Sequence, residues 1–483
     1  MNRRLLPLAL AAFCLTACGT GGAASSAAPA AHARTTTATR EGHAATASRP
    51  ATASQPVCGP PRHAWADEVS PSGRVLWQVK LPTDPASSGV ALRPLVIGGE
   101  AVFAEYNALH ALRLSDGHQL WQRSYPNPGP DSVAGLIFGL WYWHGTVVAL
   151  VGQVSTAARL TALDAATGAV RWTLKLPSYG VLGSQAMTAN GVLGIQLTNG
   201  VIEAADLSTG TLLWARKNGT SPGPVAVGDV IAAGSNGRAI GYDARTGRVL
   251  WTAHGLPATT VLTEADDLVL VQSDEVGGAG EPATVTALQP RTGRVAWRFD
   301  VGIQPQILGA GPAGIVMAIY NPDRVYLVNQ GSGRARWSAG TFATALTGNA
   351  ELIVTADSVV QIEGRGVPRL VSRRADDGKV LWSRTLNGSP GDFHLALTSA
   401  SAVVVTMGPS GGGTPAKPST VSPLWVFNLA TGQRTGHTTL PTLVQAPLAT
   451  AGAKVVLQLD DPVCAIPLTG AVTTDAGAPR PRS

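Results

Sequence analysis

At 483 residues, 45% of them hydrophobic and 14% charged, the chain is long enough to bury a sizeable core and too apolar to be disordered throughout. Its formal net charge is +6, yet it has no run of Lys or Arg, and Arg outnumbers Lys 30 to 6. Charge dispersed in this way excludes nucleic acid as an expected partner.

Residues 1–17 read as a targeting signal. Arg3 and Arg4 form a basic start, Leu5 to Leu15 an apolar stretch, and Leu15-Thr16-Ala17 leads through small residues to Cys18. An apolar stretch this short fits a secretory signal and not a permanent span. Leu-Thr-Ala-Cys resembles the bacterial lipobox, which implies cleavage before Cys18 and a diacylglyceryl anchor on that residue. Residues 18–57 are dominated by Ala, Ser, Thr, Gly and Pro. They cannot bury enough surface to fold and are expected to act as a tether with a reach of roughly 30–40 Å. Residues 58–472 are the expected folded part, and 473–483 an expected disordered tail. The chain should therefore sit on the extracytoplasmic face of the cell membrane, lipid-anchored, touching the membrane only through its lipid.

A phrase of the form Leu-Asp-Ala-x-Thr-Gly-x-Val-x-Trp then recurs down the chain, most clearly in Leu163–Trp172, Asp206–Trp214 and Asp243–Trp251. Its turn glycine falls at Gly73, Gly117, Gly168, Gly210, Gly247, Gly293, Gly333, Gly378 and Gly432. Every one but the last has a Trp four residues on: Trp77, Trp121, Trp172, Trp214, Trp251, Trp297, Trp337 and Trp382. Successive tryptophans are 37 to 51 residues apart, a period typical of propeller blades. The Asp can hydrogen-bond the turn it opens and the Gly supplies a positive φ, so the phrase is expected to form a β-hairpin. Alternation in Val249-Leu250-Trp251 is expected to place the Trp on one face of a half-buried strand. One aromatic at the same place in each blade would seal neighbouring blades, so these residues read as structural and not as ligand-stacking.

Val133 to Gly152 carries no Asp, Glu, Lys or Arg over twenty residues. Its glycines and the His144-Gly145 turn signal make it two buried strands of one blade in preference to a membrane span. Trp141-Tyr142-Trp143 is the one cluster of aromatics outside the repeat. Trp141 and Trp143 share a strand face, and core packing is the expected role.

Dividing each blade into strands A (inner) to D (outer) gives a full set before each of Gly117, Gly168, Gly210, Gly247, Gly293, Gly333, Gly378 and Gly432. Left over are a D strand from Gly73 to Leu81 and a B–C pair at Lys454–Leu459 and Val463–Leu468. The expected fold is an all-β propeller of four-stranded antiparallel blades, closed by N- and C-terminal strands. Counted literally there are nine units. Eight, the commoner number, is expected, with one degenerate unit near the C-terminus incomplete. Closure would bring together Cys58 and Cys464, the cysteines that remain once Cys14 leaves with the signal and Cys18 takes the lipid. A disulfide between them would tie a loop of about 400 residues, the geometry in which chain entropy predicts most stabilisation. Two free thiols are the alternative.

These tandem units over residues 69 to 470, behind a lipobox, resemble the PQQ-repeat (quinoprotein-like) β-propellers and, among them, the BamB-like lipoproteins. The sialidase Asp-box differs in placing its Trp three residues after Gly, and WD-repeat signatures are missing. The resemblance implies a non-catalytic binding scaffold in the cell envelope, with envelope proteins as partners. The alternatives are a ligand-sensing or substrate-binding module and a PQQ-dependent dehydrogenase. In quinoprotein dehydrogenases PQQ is gripped by a vicinal disulfide, a stacking Trp, and Ca²⁺ on carboxylate and amide ligands. No adjacent cysteines occur here: Cys58 and Cys464 are 406 positions apart. Asp266-Asp267 and Asp460-Asp461 read as solvated turn ends, and the nine histidines show no metal-ligand spacing. There is no Gly-x-Ser-x-Gly elbow and no P-loop, and Ser410-Gly411-Gly412-Gly413 reads as a flexible loop. No catalytic, cofactor-binding or metal residue, and no cofactor, is expected.

Strand alternation also sorts the connections. C–D and A–B turns should share one face, while B–C and D–A connections share the other. The long connections Ser124–Val133, Ser273–Thr284 and Gly408–Pro423 belong to the second face, where variable loops make partner docking the expectation.

Overall fold

The computed structural model describes residues 63–460 except 70–74, 83–91, 106, 126–134, 153–157, 177–180, 219–222, 236, 257–259, 266, 274–282, 322, 342–351, 365–366, 387–392, 400, 408–421, 441–442 and 445–447. The signal, the tether, Gly73, all four cysteines and the C-terminal tail lie outside the described residues. Every described element is a β-strand. No described helix is long and apolar enough to cross a membrane.

Eight four-stranded antiparallel blades follow one another: blade 1 (95–124), blade 2 (136–175), blade 3 (181–217), blade 4 (225–254), blade 5 (260–302), blade 6 (303–339), blade 7 (353–385) and blade 8 (393–440). Blades 5 and 6 share one long strand, Val295–Gly311, which pairs outward with Ala283–Leu288 and then inward with Gly314–Asn321. The twenty uncharged residues from Val133 contain the A and B strands of blade 2, Leu136–Trp143 and Thr146–Gly152, turning at His144-Gly145 with positive φ at both positions.

A closing sheet stands beside these eight blades. It combines Val75–Pro82 and His63–Val69 from one end of the chain with Lys454–Asp460, Leu443–Val444 and Ala449–Ala451 from the other. Two expectations change here. The C position of this sheet is taken by His63–Val69, with Ala64 opposite Asp460 and Val69 opposite Val455. Val463 to Leu468, assigned that position from sequence, lies outside the described residues. Nor is any unit near the C-terminus incomplete, since Phe393–Leu397, Ala402–Met407, Ser422–Asn428 and Arg434–Leu440 make a full blade 8. The nine-unit count was the eight blades plus this composite sheet.

The core lies between blades. One cluster joins Val102, Leu109, Ala111 and Trp121 of blade 1 to Ile137, Val147, Val151 and Leu163 of blade 2. Another joins Val148, Leu150 and Leu160 of blade 2 to Leu193, Ile195 and Leu197 of blade 3. B and C strands pack neighbours on both sheet faces, so they read as continuous apolar runs, each large side chain contributing about 1.5–3 kcal/mol.

Candidate interaction faces of the ring

The motif turns build one face. Asp164 Oδ1 accepts from the Ala166 and Thr167 backbone N–H groups at 3.1 and 3.0 Å and from Thr167 Oγ1 at 2.9 Å. Hydrogen bonds from Arg171 and then Thr167 hold its carboxyl below the usual aspartate range. The Ala165 N–H donates to Gly145 O at 2.9 Å, locking the C–D turn onto the A–B turn of its own blade. The same bond recurs from Leu114 to Gly99, Leu207 to Gly191, Ala244 to Asp229 and Ala375 to Asp357. The two turn classes therefore share one face.

The tryptophans join this face from the neighbouring unit. Trp121 Nε1 donates to Ala165 O at 2.7 Å, and Gly168 lies so close over the indole that a Cβ there would be 2.7 Å from Cδ2. The turn glycine of each blade covers the Trp of the preceding unit in this way: Gly117 on Trp77, Gly210 on Trp172, Gly247 on Trp214, Gly293 on Trp251, Gly333 on Trp297, Gly378 on Trp337 and Gly432 on Trp382. Indole donors from Trp77, Trp214, Trp251, Trp297, Trp337 and Trp382 bond turn carbonyls of the next blade at 2.5–3.1 Å. The Gly and Trp of one motif copy thus belong to different interfaces. Blade 8 carries Gly436 where the other D strands have Trp.

Simple alternation fails at the Trp. In blade 2 Val170 pairs with Leu163 but Trp172 pairs with Ala162, so Arg171 is an extra, bulged residue. Blade 4 has the same register shift, leaving Val249 50% exposed while Trp251 is buried. The bulge turns the D strand so that residues two apart no longer share a face.

Two open clefts lie side by side on this turn face. One, of about 430 Å³, lies between blades 1 and 2 and is lined by Tyr142, Arg113, Arg171, Glu100, Asp164 and Leu120. The other, of about 550 Å³, lies between blade 1 and the closing sheet and includes Arg113, Ser115, Gly452 and Lys454. The aromatic triplet is split. Trp141 and Trp143 pack against the core between blades 2 and 3, with Trp143 against Gly191, whereas Tyr142 is 39% exposed at the first cleft. Arg245–Asp206, at 2.9 Å with the carboxylate buried, and the more exposed Arg291–Asp229 add ion pairs between neighbouring blades.

The opposite face is framed by the ends of the strands that carry the long connections. Residues 126–134, 274–282 and 408–421 of those connections are outside the described residues.

Buried titratable groups are dispersed. His110, in blade 1, and His394, in blade 8, are each pushed down to about 4 chiefly by burial. Glu203, in blade 3, is raised by burial. Glu363 in blade 7 is held by Arg373 at 2.7 Å and by Gln361 and Thr341. Among the described residues no three His, Cys, Asp or Glu side chains gather where they could hold a metal.

Residues 139–278 and 281–480 match the family model described as "Outer membrane protein assembly factor BamB". The chain belongs to this family. Proteins of that name are 26% identical over 265 residues in Yersinia pestis and 22% identical over 241 residues in Shewanella oneidensis. The matches cover 51% and 46% of this chain and 65% and 60% of those proteins, less than two thirds of their length. Among solved structures, BamB from Moraxella catarrhalis has a TM-score of 0.43 at 16% identity, covering 77% of this chain and 98% of that one. A quinohemoprotein alcohol dehydrogenase from Comamonas testosteroni has a TM-score of 0.43 at 14% identity, covering 77% of this chain and 74% of that one.

Proposed function

We propose that this BamB-family propeller is a lipid-anchored scaffold that binds envelope proteins on the extracytoplasmic side of the membrane and catalyses no reaction. The observation that carries the reading is the use made of the repeat tryptophans. Each is covered by a glycine of the next blade. An indole covered by a glycine of the next blade is committed to the seam between blades, and the sequence has no adjacent cysteines to grip a quinone. The name borne by the family model and by the relatives supports an assembly role. Anchoring would rest on Cys18 and the tether of residues 18–57.

The test is a binding titration of the purified chain with PQQ and Ca²⁺, paired with a dye-linked alcohol or sugar oxidation assay. Neither stoichiometric binding nor turnover is expected. Submicromolar quinone binding, or oxidation above background, would replace the scaffold with an enzyme. A second reading, a small-ligand module, is favoured by the cleft at Tyr142. It requires a soluble ligand whose affinity falls at least tenfold in Tyr142→Ala.

A further inference from the structure

The turns that lead into the outer strands differ in charge from blade to blade. In blades 2, 3 and 4 the turn is opened by Asp164, Asp206 and Asp243; in blades 5 and 6 it is opened by Gln289 and Asn329. The amides hold the turn as the carboxylates do. Gln289 Oε1 accepts from Thr292 Oγ1 at 3.0 Å, and Asn329 Oδ1 from the Ser332 N–H at 2.9 Å. Only the negative charge is gone. Over the same blades cations accumulate: the turns Asp243–Arg248, Gln289–Arg294 and Asn329–Arg334 carry Arg245, Arg248, Arg291, Arg294 and Arg334, with Asp243 as their sole carboxylate.

Asp243 is spent on its own turn, accepting from the Thr246 N–H and Oγ1 at 2.9 and 2.7 Å. Arg245 and Arg291 are bound by Asp206 and Asp229. Asp267 and Asp357 stand in A–B turns, nearer the ring axis, and Asp376 and Asp377 are engaged by Arg336, Arg374 and Lys379. Arg248, Arg294 and Arg334 are exposed, and among the described residues no carboxylate lies within ion-pair distance of them.

These three arginines each follow the turn glycine directly, at the same place in three consecutive blades. Their heights on the turn face are matched, because the preceding blade pins each turn in the same way: Trp214 Nε1 donates to Ala244 O, Trp251 Nε1 to Pro290 O and Trp297 Nε1 to Gln330 O. Aliphatic side chains stand beside them, with Leu212 44%, Val249 50% and Val295 47% exposed. Cations on an edge strand guard it against pairing with another chain. Arg248, Arg294 and Arg334 precede the outer strands and lie in the turns, so that role does not account for them. Equivalent positions of a repeat make a level row and not a pocket. Guanidinium groups and half-exposed aliphatics on a level row match a flat surface that is anionic outside and apolar beneath.

We propose that the turn face of blades 4–6, bordered by Leu212, rests on a bilayer surface of anionic phospholipid. Arg248, Arg294 and Arg334 meet lipid phosphates, and Leu212, Val249 and Val295 enter the headgroup boundary. The propeller thereby gains a membrane contact of its own, beyond the lipid on Cys18, and the face with the long connections turns away from the bilayer.

The full chain carrying Cys18→Ala, which tests the face apart from the anchor, is pelleted with vesicles of phosphatidylcholine alone and of equal parts phosphatidylcholine and phosphatidylglycerol. Binding to the first sets the baseline from the apolar stretch Leu5 to Leu15. Binding to the anionic vesicles should exceed it and weaken as salt rises; no excess overturns the proposal. Arg248→Ser with Arg294→Ser and Arg334→Ser should lower the partition coefficient roughly a hundredfold, at about fivefold for each cation near an anionic surface. Arg123→Ser with Lys175→Ser and Lys217→Ser removes the same charge from exposed positions on the outer strands of blades 1–3 and should lower it less than about threefold. Val249→Ser with Val295→Ser should lower it about fivefold at every salt concentration. Equal losses in the two triple variants would reduce the effect to net charge and overturn the face, as would unchanged binding in the arginine variant. A valine variant that binds like the wild type would overturn the bilayer as occupant in favour of a soluble polyanion.

Discussion

Replacing Gly168 by Ala tests the blade-to-blade clasp at a single atom. Gly168 has φ +68°, a conformation that costs an L-residue about 1 kcal/mol. The added Cβ would stand 2.7 Å from Trp121 Cδ2, roughly 1 Å inside ordinary contact, so the indole must withdraw. Withdrawal breaks the 2.7 Å bond from Nε1 to Ala165 O, worth about 1–1.5 kcal/mol, and uncovers part of a buried ring for about 1 kcal/mol more. The sum is about 3–4 kcal/mol. Gly228 is the control: its φ is +62°, but a Cβ there meets nothing within 4 Å, so Gly228→Ala should cost only the backbone strain, about 1 kcal/mol. In thermal melts of the two variants against wild type, Gly168→Ala should lower Tm by about 4 °C and Gly228→Ala by about 1 °C. Equal shifts would mean that the glycines are selected for their turn conformation alone and that the clasp adds nothing.

The closing seam should also be sensitive to acid. His110 and His394 have folded pKa values of about 4, against an unfolded value of about 6.5, so their neutral forms stabilise the fold fully above 6.5. That stability is lost as pH falls from about 6.5 to 4, by roughly 3 kcal/mol for each residue; melts over this window should flatten in His110→Leu with His394→Leu, and an unchanged slope would refute the assignment. Cys18→Ala, expressed in a bacterial host, should lose membrane association and lipoprotein processing; a variant retained at the membrane would point to another anchor. Shortening the connection between Ala402–Met407 and Ser422–Asn428 should leave the melt unchanged, because closure entropy varies slowly with loop length. It should reduce photo-crosslinking to the envelope partner; unchanged yield there, with loss in Tyr142→Ala, would move the docking face to the tight turns.

Much of the ring was legible in the chain because its information is local. Asp164, Thr167 and Gly168 specify a hairpin by hydrogen bonds and backbone conformation within five residues, and the repeat of that phrase gives the strand count and the all-β class. The uncharged stretch from Val133 separated into two strands for the same reason: His144-Gly145 is a turn in any context. What the sequence could not assign was partnership between copies. Trp172 follows Gly168 by four residues, yet Gly168 covers Trp121 and Trp172 lies under Gly210, because a clasp across an interface depends on how blades stack and every copy offers an equivalent glycine. The bulge at Arg171 was hidden too, since an extra residue in a ladder shows only against its partner strand. The closing sheet draws its C strand from His63–Val69, a segment whose His63, Asp67 and Glu68 hide it from an apolar-run reading and whose place only ring closure assigns. The candidate site followed the same division. Trp141, Tyr142 and Trp143 announced themselves as a cluster, but their separation into two packed indoles and one exposed phenol beside Arg113 and Arg171 came from the neighbouring blades, which cover one strand face and leave the other open.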